Sequence, residues 1–248
     1  MDIAATRADG ILEIAFDRPQ KKNAITAAMY AAASQLLREA ERDDAVRVVL
    51  FRGNGDSFSA GNDLEDFAAN PPATAHAPVF EFLDAASQAV KPYVAAVTGS
   101  AVGIGTTLLL HCELVYAAED ARFALPFTRL GLVPEFASTY LLPLVAGYQR
   151  AAELLLLAEP FDARKAHEAG FVTRIVPAAG VLEAAREAAR NLAALPPKSI
   201  QRTKMLMKKP HAAAVQSQMA MEAELFRPML AEPAARAALE AFLARRKA

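Results

Sequence analysis

Residues 97–107 read Val97-Thr98-Gly99-Ser100-Ala101-Val102-Gly103-Ile104-Gly105-Thr106-Thr107. The apolar run before them, 93–97, suits a buried strand, and 106–110 is apolar enough to begin a helix. A strand, a glycine turn and a helix start aim main-chain N–H groups at one point. The first amides of a helix have no partners within it, and its dipole favours negative charge there. Gly103 and Gly105 carry no side chain to keep a ligand off the backbone. The same stretch also fits a tight turn in an α/β core. A second loop of small residues, Phe58-Ser59-Ala60-Gly61-Asn62-Asp63-Leu64, likewise enters a predicted helix. Further on stands one acid, Glu135, directly after Pro134. By itself it reads as an exposed carboxylate opening a helix, where the dipole suits it.

The elements that must position these residues are read from pattern. Residues 11–16 form a short apolar strand, paired with 3–6 across the Asp9-Gly10 turn. Thr26 is an N-cap for a helix to Arg42, with Met29, Leu36 and Leu37 at helical spacing. Strands are expected at 46–51, 114–118, 122–124 and 172–176, and a helix at 79–90 ended by Lys91-Pro92. Residues 70–76 read as a loop. Strand, glycine loop and helix thus occur twice, around Gly61 and Gly103, which implies a β-α superhelical repeat. The second half is mostly helical: 138–145, 148–157, 163–169 closed by Gly170, and 181–194. After Pro196-Pro197 come 198–208, 212–230 and 234–246, with Pro210 and Pro233 as separators.

Composition sets limits. A chain of 248 residues, 54% hydrophobic, buries a sizeable core. A net charge of −1 offers no basic field for nucleic acid or an anionic membrane. Cys112 is the only cysteine, so no disulfide forms within the chain and no cysteine-rich zinc site exists. His76, His111, His167 and His211 lack metal-ligand spacing, and no metal is expected. Asp2, Arg7 and Asp9 interrupt any signal peptide, no apolar run spans a bilayer, and Arg246-Lys247-Ala248 is no peroxisomal address. The expectation is a soluble cytoplasmic protein. Thr98-Gly99-x-x-x-Gly103-x-Gly105 also fits the nucleotide loop of short-chain dehydrogenases. That loop belongs on a first strand, however, and none of the five tyrosines has a lysine four residues later, so this reading is set aside.

The whole set of motifs resembles the crotonase (enoyl-CoA hydratase/isomerase) superfamily, over nearly the whole chain. The matching residues are Arg18-Pro19 with Lys22-Asn23-Ala24, the 58–64 and 99–105 loops, Leu130-Gly131-Leu132-Val133-Pro134-Glu135, and Ala169-Gly170-Phe171-Val172. The resemblance implies an α/β, ClpP/crotonase-like fold of ββα units wound into a right-handed spiral over residues 1–195. A helical trimerisation region at 196–248 follows, so the expected assembly is a homotrimer or a dimer of trimers. It also implies an acyl-CoA substrate, with coenzyme A as part of that substrate, no separate cofactor and a place in fatty acid β-oxidation. The thioester carbonyl would sit between the N–H groups of Asn62 and Ile104. CoA would lie along Arg18, Lys22, Ala24, Ala60, Gly61, Asp63 and Leu64, with Gly103 and Phe127 also at the substrate. Lys21 could replace Lys22 at a phosphate, and the basic run Arg245-Arg246-Lys247 could assist. The two glutamates of the hydratase branch fall on Thr107 and Phe127, neither of which is an acid. The remaining pattern looks most like Δ3,Δ2-enoyl-CoA isomerases, in which a single glutamate, here Glu135, moves a proton from C2 to C4. An apolar setting of Phe127, Leu132, Val133 and Phe136 would raise its pKa toward the useful range. The alternatives kept are a hydratase-like member and a non-catalytic acyl-CoA binder. The C-terminal apolar positions Leu225, Phe226, Met229, Leu230, Leu239, Phe242 and Leu243 would be buried in a trimer.

Overall fold

The computed structural model describes residues 2–72, 74 and 76–245. A hairpin of β1 (Ile3–Ala8) and β2 (Ile11–Phe16) opens the chain, turning at Asp9 and Gly10, both at positive φ. Next, α1 (Ala27–Arg42) starts where the Thr26 hydroxyl accepts from the Met29 amide at 3.3 Å. It leads to β3 (Val48–Gly53), then α2 (Leu64–Ala69), α3 (Pro78–Ser87) and β4 (Tyr93–Val97). β3 pairs in parallel with both β2 and β4. These strands are covered on both faces, which is why they read as continuous apolar runs rather than alternating ones. Phe51 and Tyr93 meet edge to face at 5.2 Å, and Phe16 and Phe58 at 5.6 Å.

After β4 the chain departs from the expected strand, turn and helix. It first forms another short strand, β5 (Ser100–Val102), and only then α4 (Ile104–Thr107), a single turn continued by a 3-10 turn at Leu108–His111. β6 (Leu114–Ala118) returns to the main sheet and β7 (Arg122–Ala124) pairs with β5. Beyond α5 (Ser138–Ala146), α6 (Tyr148–Ala152) and a π turn at Glu153–Leu157 lies β8 (Phe161–Asp162), which the sequence reading missed. At two residues it is too short to show a period. α7 (Ala163–Glu168), β9 (Arg174–Val176) and α8 (Val181–Ala194) complete the core. The main sheet runs β1-β2-β3-β4-β6-β9, in chain order once β5, β7 and β8 are taken out into their own sheet. Isolated parallel bridges, Ile25 to Asn62 and Ser59 to Ala101, carry that second layer back to earlier turns. Each turn of the chain thus places one strand in the main sheet, a short extended segment beside its predecessor, and a helix outside. This is the spiral that the two glycine loops implied. α8 lies across β3, β4 and β6, and its buried positions Ala185, Ala188, Ala189 and Ala193 are small enough for close packing.

Two long helices follow, α9 (Pro197–Met229) and α10 (Pro233–Arg245). The break expected at Pro210 is absent: α9 runs through it. A helical proline removes one hydrogen bond, here to the Leu206 carbonyl. Both residues lie on the exposed face, where water can take that place. α9 is anchored by Lys204, buried at 3% exposure. Its Nζ donates to the Lys91 carbonyl at 2.7 Å and to Glu113 at 3.0 Å and sits 4.6 Å from the centre of the Tyr93 ring. Among the C-terminal apolar positions, Phe226 is buried against its own chain, edge to face with Phe67 at 6.2 Å, while Leu225 is exposed. Met229, Leu230 and Leu239 are half-buried. The side chains of Phe242, Leu243 and Arg245, and all of Arg246 and Lys247, lie outside the described residues. No helix among the described residues is long and apolar enough to cross a membrane.

Asn23 holds the first turn of the spiral to the second. It is fully buried at φ +57°, donates to the carbonyls of Asn54 (2.8 Å) and Ser57 (2.6 Å), and accepts from the Arg18 amide at 2.8 Å. Asn23→Ala strands all three groups, each buried polar loss costing about 1–3 kcal/mol. The expected outcome is a loss of about 3 kcal/mol or more, read as a lower urea midpoint at unchanged slope. A midpoint equal to that of the wild type would remove Asn23 from this role.

Candidate functional site

The segment leaving β3 is fixed by the turn at residues 18–24. The Ala60 amide donates to the Lys22 carbonyl (2.8 Å), the Ser59 hydroxyl to the Asn23 carbonyl (2.9 Å), and the Ile25 amide to the Gly61 carbonyl (2.8 Å). Asp63 then caps α2, accepting from the amides of Glu65 (3.1 Å) and Asp66 (3.2 Å). The Arg18 guanidinium donates to Asp63 at 2.9 Å and to the Ala24 carbonyl at 2.8 Å, and pairs with Asp2 at 3.2 Å. Burial works to raise the Asp63 carboxyl, but the Arg18 hydrogen bond and the two helix amides outweigh it, holding the group below its ordinary value.

The second loop lies directly on the first. Ser59 exchanges bonds with β5, its amide donating to the Ser100 carbonyl and its carbonyl accepting from the Val102 amide, both at 2.9 Å. Gly61 sits at φ +84°, and a Cβ there would stand 2.7 Å from the Val102 oxygen, so glycine is required on steric grounds. One residue further along each strand are Asn62 and Ile104, the latter opening α4 after Gly103. Neither amide donates a hydrogen bond among the described residues. The Asn62 side chain accepts from the Tyr30 hydroxyl at 2.5 Å, and burial keeps that phenol protonated as a donor.

Thr107, on the same turn as Ile104, donates to Glu135 Oε1 at 2.5 Å. The other oxygen, Oε2, is buried with no partner among the described residues. Burial pushes the Glu135 carboxyl up to about 8; the Thr107 hydrogen bond opposes this and the charge of Glu222 adds to it. Glu135 is therefore no helix-opening surface acid. α5 begins at Ser138, and Glu135 precedes two residues in left-handed conformation, Phe136 (φ +64°) and Ala137 (φ +53°). Glu222 of α9 accepts from the amides of Ala137 (2.6 Å) and Thr139 (3.1 Å) and from the Thr139 hydroxyl. Glu135 and Asn62 face a cavity of about 280 Å³, whose apolar wall includes Phe67, Leu83, Met219 and Phe226.

The sequence-derived residues divide as follows. Gly61, Asn62, Gly103 and Ile104 lie where the two loops touch, Gly61 against Val102 and Gly103, while Glu135 joins the second loop through Thr107 and shares the cavity with Asn62. Asp63, Ala24 and Arg18 are engaged in holding the first loop, and α2 starts at Leu64. Ala60 links that loop to Lys22, which is exposed and without an ion pair among the described residues, whereas Lys21 pairs with Glu65 at 3.2 Å. Phe127 is buried and, like Gly61, Gly103 and Ile104, does not line the cavity. Three histidines are satisfied within the fold: His111 stacks on Phe136 at 3.8 Å and meets its carbonyl at 2.8 Å, His167 meets the Val172 carbonyl, and His211 meets the Tyr140 hydroxyl. Burial lowers the His111 pKa to about 3, so its ring stays neutral. Sequence reasoning missed Tyr30, the donor role of Thr107 and Glu222. Thr107 is one helical turn beyond Ile104 and was within reach of a spacing argument. Glu222 lies 85 residues from its partner, and no local signal marks it.

Strands wound in successive spiral turns, with paired loops that leave two amides unpartnered, are those of the crotonase class of fold. The structure of Pseudomonas aeruginosa OdaA superposes with a TM-score of 0.94 at 44% identity, covering 97% of this chain and 98% of that one. The sequence profile of the enoyl-CoA hydratase/isomerase family matches residues 6–248, and the chain belongs to that family. It is 33% identical over 247 residues to the 1,2-epoxyphenylacetyl-CoA isomerase of Escherichia coli K12, covering 96% of this chain and 93% of that protein. It is 39% identical over 216 residues to enoyl-CoA delta isomerase 2 of Rattus norvegicus, covering 84% of this chain. The match spans only about half, 54%, of that longer rat protein.

The buried acid Glu135 gives a measurable pH dependence. Raised to about 8, it holds in the folded chain a proton that it releases in the unfolded chain near 4.5. Its contribution is complete below pH 4.5 and is lost as pH rises through the folded value. Between about pH 5 and 8, wild type is expected to lose stability relative to Glu135→Gln, which has no proton to release. Urea midpoints that decline in parallel for the two proteins would show that Glu135 titrates normally.

Proposed function

We propose that this chain is an enoyl-CoA isomerase that moves a double bond from C3–C4 to C2–C3 of an acyl-CoA. The observation that carries the reading is Glu135: a buried carboxyl with a raised pKa and one unpaired oxygen, on the same cavity as Asn62. The thioester oxygen takes the amides of Asn62 and Ile104. Glu135 removes a C2 proton, and the electron pair passes into the enolate held by those two donors. The protonated Glu135 then delivers the proton to C4 as the C2–C3 double bond forms, so no water is consumed. A C2 proton is too weakly acidic for a carboxylate alone, and one such donor is typically worth about 3–4 kcal/mol. The alcohol of Thr107 and the ring of Phe127, where hydratases of the family carry acids, support isomerisation over hydration.

Coenzyme A enters as part of the substrate. We place its phosphates near Lys22, whose charge is uncommitted among the described residues, and its pantetheine along Ala60 to Asn62. Arg18, already matched by Asp2 and Asp63, shapes the turn instead. Glu135→Gln keeps the shape and removes the base. Turnover of a 3-enoyl-CoA, followed as the conjugated thioester, is expected to fall at least about a hundredfold while acyl-CoA binding is retained. In wild type kcat/KM should climb with pH through a midpoint near 8, because the base acts deprotonated. Unchanged turnover in the variant would remove Glu135 from the mechanism. Fast wild-type hydration of crotonyl-CoA would favour a hydratase, and tight acyl-CoA binding without any turnover a non-catalytic binder.

The assembly is proposed as a homotrimer or a dimer of trimers. Support comes from exposed apolar residues at Leu144, Val145 and Tyr148 and along α9 at Met205, Leu206 and Met207. A closed ring of three would cover such a surface. Sedimentation at micromolar concentration is expected to give three or six chains; a stable monomer would end the idea.

A further inference from the structure

Glu222 is buried to 4% exposure, and it is one of several groups that tie α9 to the core. Lys204 anchors that helix elsewhere, and Gln216 donates to the Ser87 hydroxyl at 3.1 Å. What Glu222 holds is the turn after Glu135. One oxygen takes the Ala137 amide; the other takes the amide and hydroxyl of Thr139, and that hydroxyl accepts in turn from Gln218 at 2.7 Å. The turn needs holding. Phe136 and Ala137 are consecutive non-glycine residues in left-handed conformation, which costs roughly 1–2 kcal/mol per residue. Left-handed backbone at Phe136 also puts its ring on His111 and its carbonyl on the His111 ring nitrogen. Both ends of the turn are thereby fixed, and Glu135 is presented to Thr107 from its start.

We infer that Glu222 is a positioning residue for the proton shuttle: α9 sets the direction of the Glu135 carboxyl by clamping the strained 136–137 turn through three hydrogen bonds. The inference rests on the proposed role of Glu135, and it makes proton transfer depend on how the C-terminal helix is seated. Among the described residues, the Glu222 carboxylate is the group that meets these donors with two acceptors at once. In Glu222→Gln the amide nitrogen faces either the Ala137 N–H or the Thr139 N–H, donor against donor, so one of the two main-chain bonds is lost while the volume is unchanged.

The test compares Glu222→Gln and Thr139→Val with wild type. Thr139→Val removes one of the three donors and leaves the carboxylate in place. Expected are a kcat for 3-enoyl-CoA isomerisation lowered roughly ten- to a hundredfold in Glu222→Gln and less in Thr139→Val. Glu222 itself lines the cavity and Thr139 does not, so it is in Thr139→Val that KM and the affinity for a saturated acyl-CoA should change less than about twofold. Crystal structures of the variants should show Glu135 displaced from Thr107. A variant that keeps Glu135 on Thr107, or whose kcat and KM worsen together in proportion to lost stability, overturns the inference. If wild type fails to isomerise, the proposed reaction falls, and the position of Glu135 in the variant structures still decides for or against the clamp. Should Glu222→Gln fail to fold, Thr139→Val decides by the same two readings.

Discussion

The site depends on the close approach of two backbone segments, Ser59–Gly61 and Ala101–Gly103. Where Ser59 pairs with Ala101 the bonding of a parallel sheet is satisfied; three residues beyond, Asn62 and Ile104 are left with amides that have no partner among the described residues. An unmatched buried amide normally costs about 1–3 kcal/mol, so such a pair is costly anywhere but at a ligand site. The approach is possible because Gly61 has no Cβ to strike the Val102 oxygen and because the 18–24 turn holds the first segment from behind. Arg18, Asn23 and Asp63 are therefore structural supports of the site.

The second constraint is electrostatic. Glu135 is placed where its charged form is penalised, with one hydroxyl to accept from and a second carboxylate, Glu222, nearby. A carboxyl in that setting gives and takes a proton near neutral pH instead of staying ionised. Thr107 links this acid to the helical turn that opens with Ile104, so the amide and the carboxyl cannot move independently. Tyr30 does the same for Asn62 from α1. The apolar wall is shared between α2, α3 and α9, and the last of these belongs to the C-terminal half of the same chain. The cavity is thus completed late in the sequence by a helix whose own anchor, Lys204, lies well away from it.

Much of the core was legible because its signals are local. Tyr93–Val97 and Val181–Ala194 fall where apolar runs and alanine spacing put them, Thr26 caps α1, and Gly61 and Gly103 mark the two turns. Features that failed to show were short or depended on surroundings. β5 is three residues long and β8 two, below the length at which a period can be read. Pro210 signals a break, but the rest of α9 is held by tertiary contacts, so one lost hydrogen bond on its exposed face does not end the helix. Of the C-terminal apolar residues, hydropathy alone could not say that Phe226 turns inward on Phe67 while Leu225 stays exposed.

For the site, the amino-acid order by itself determined which backbone amides are presented, since glycine position and strand register act within a few residues. It also singled out Glu135, but it left open whether that acid was a solvated helix opener or a buried carboxyl with a raised pKa. Only the tertiary structure decided this, because a pKa follows from desolvation and neighbouring charge, and both are supplied by distant segments: Thr107 from 28 residues away and Glu222 from beyond α8. The two left-handed residues after Glu135 show the same division. Phe136 and Ala137 carry no glycine to announce their conformation, and it persists because a carboxylate on α9 accepts the hydrogen bonds that the turn leaves exposed.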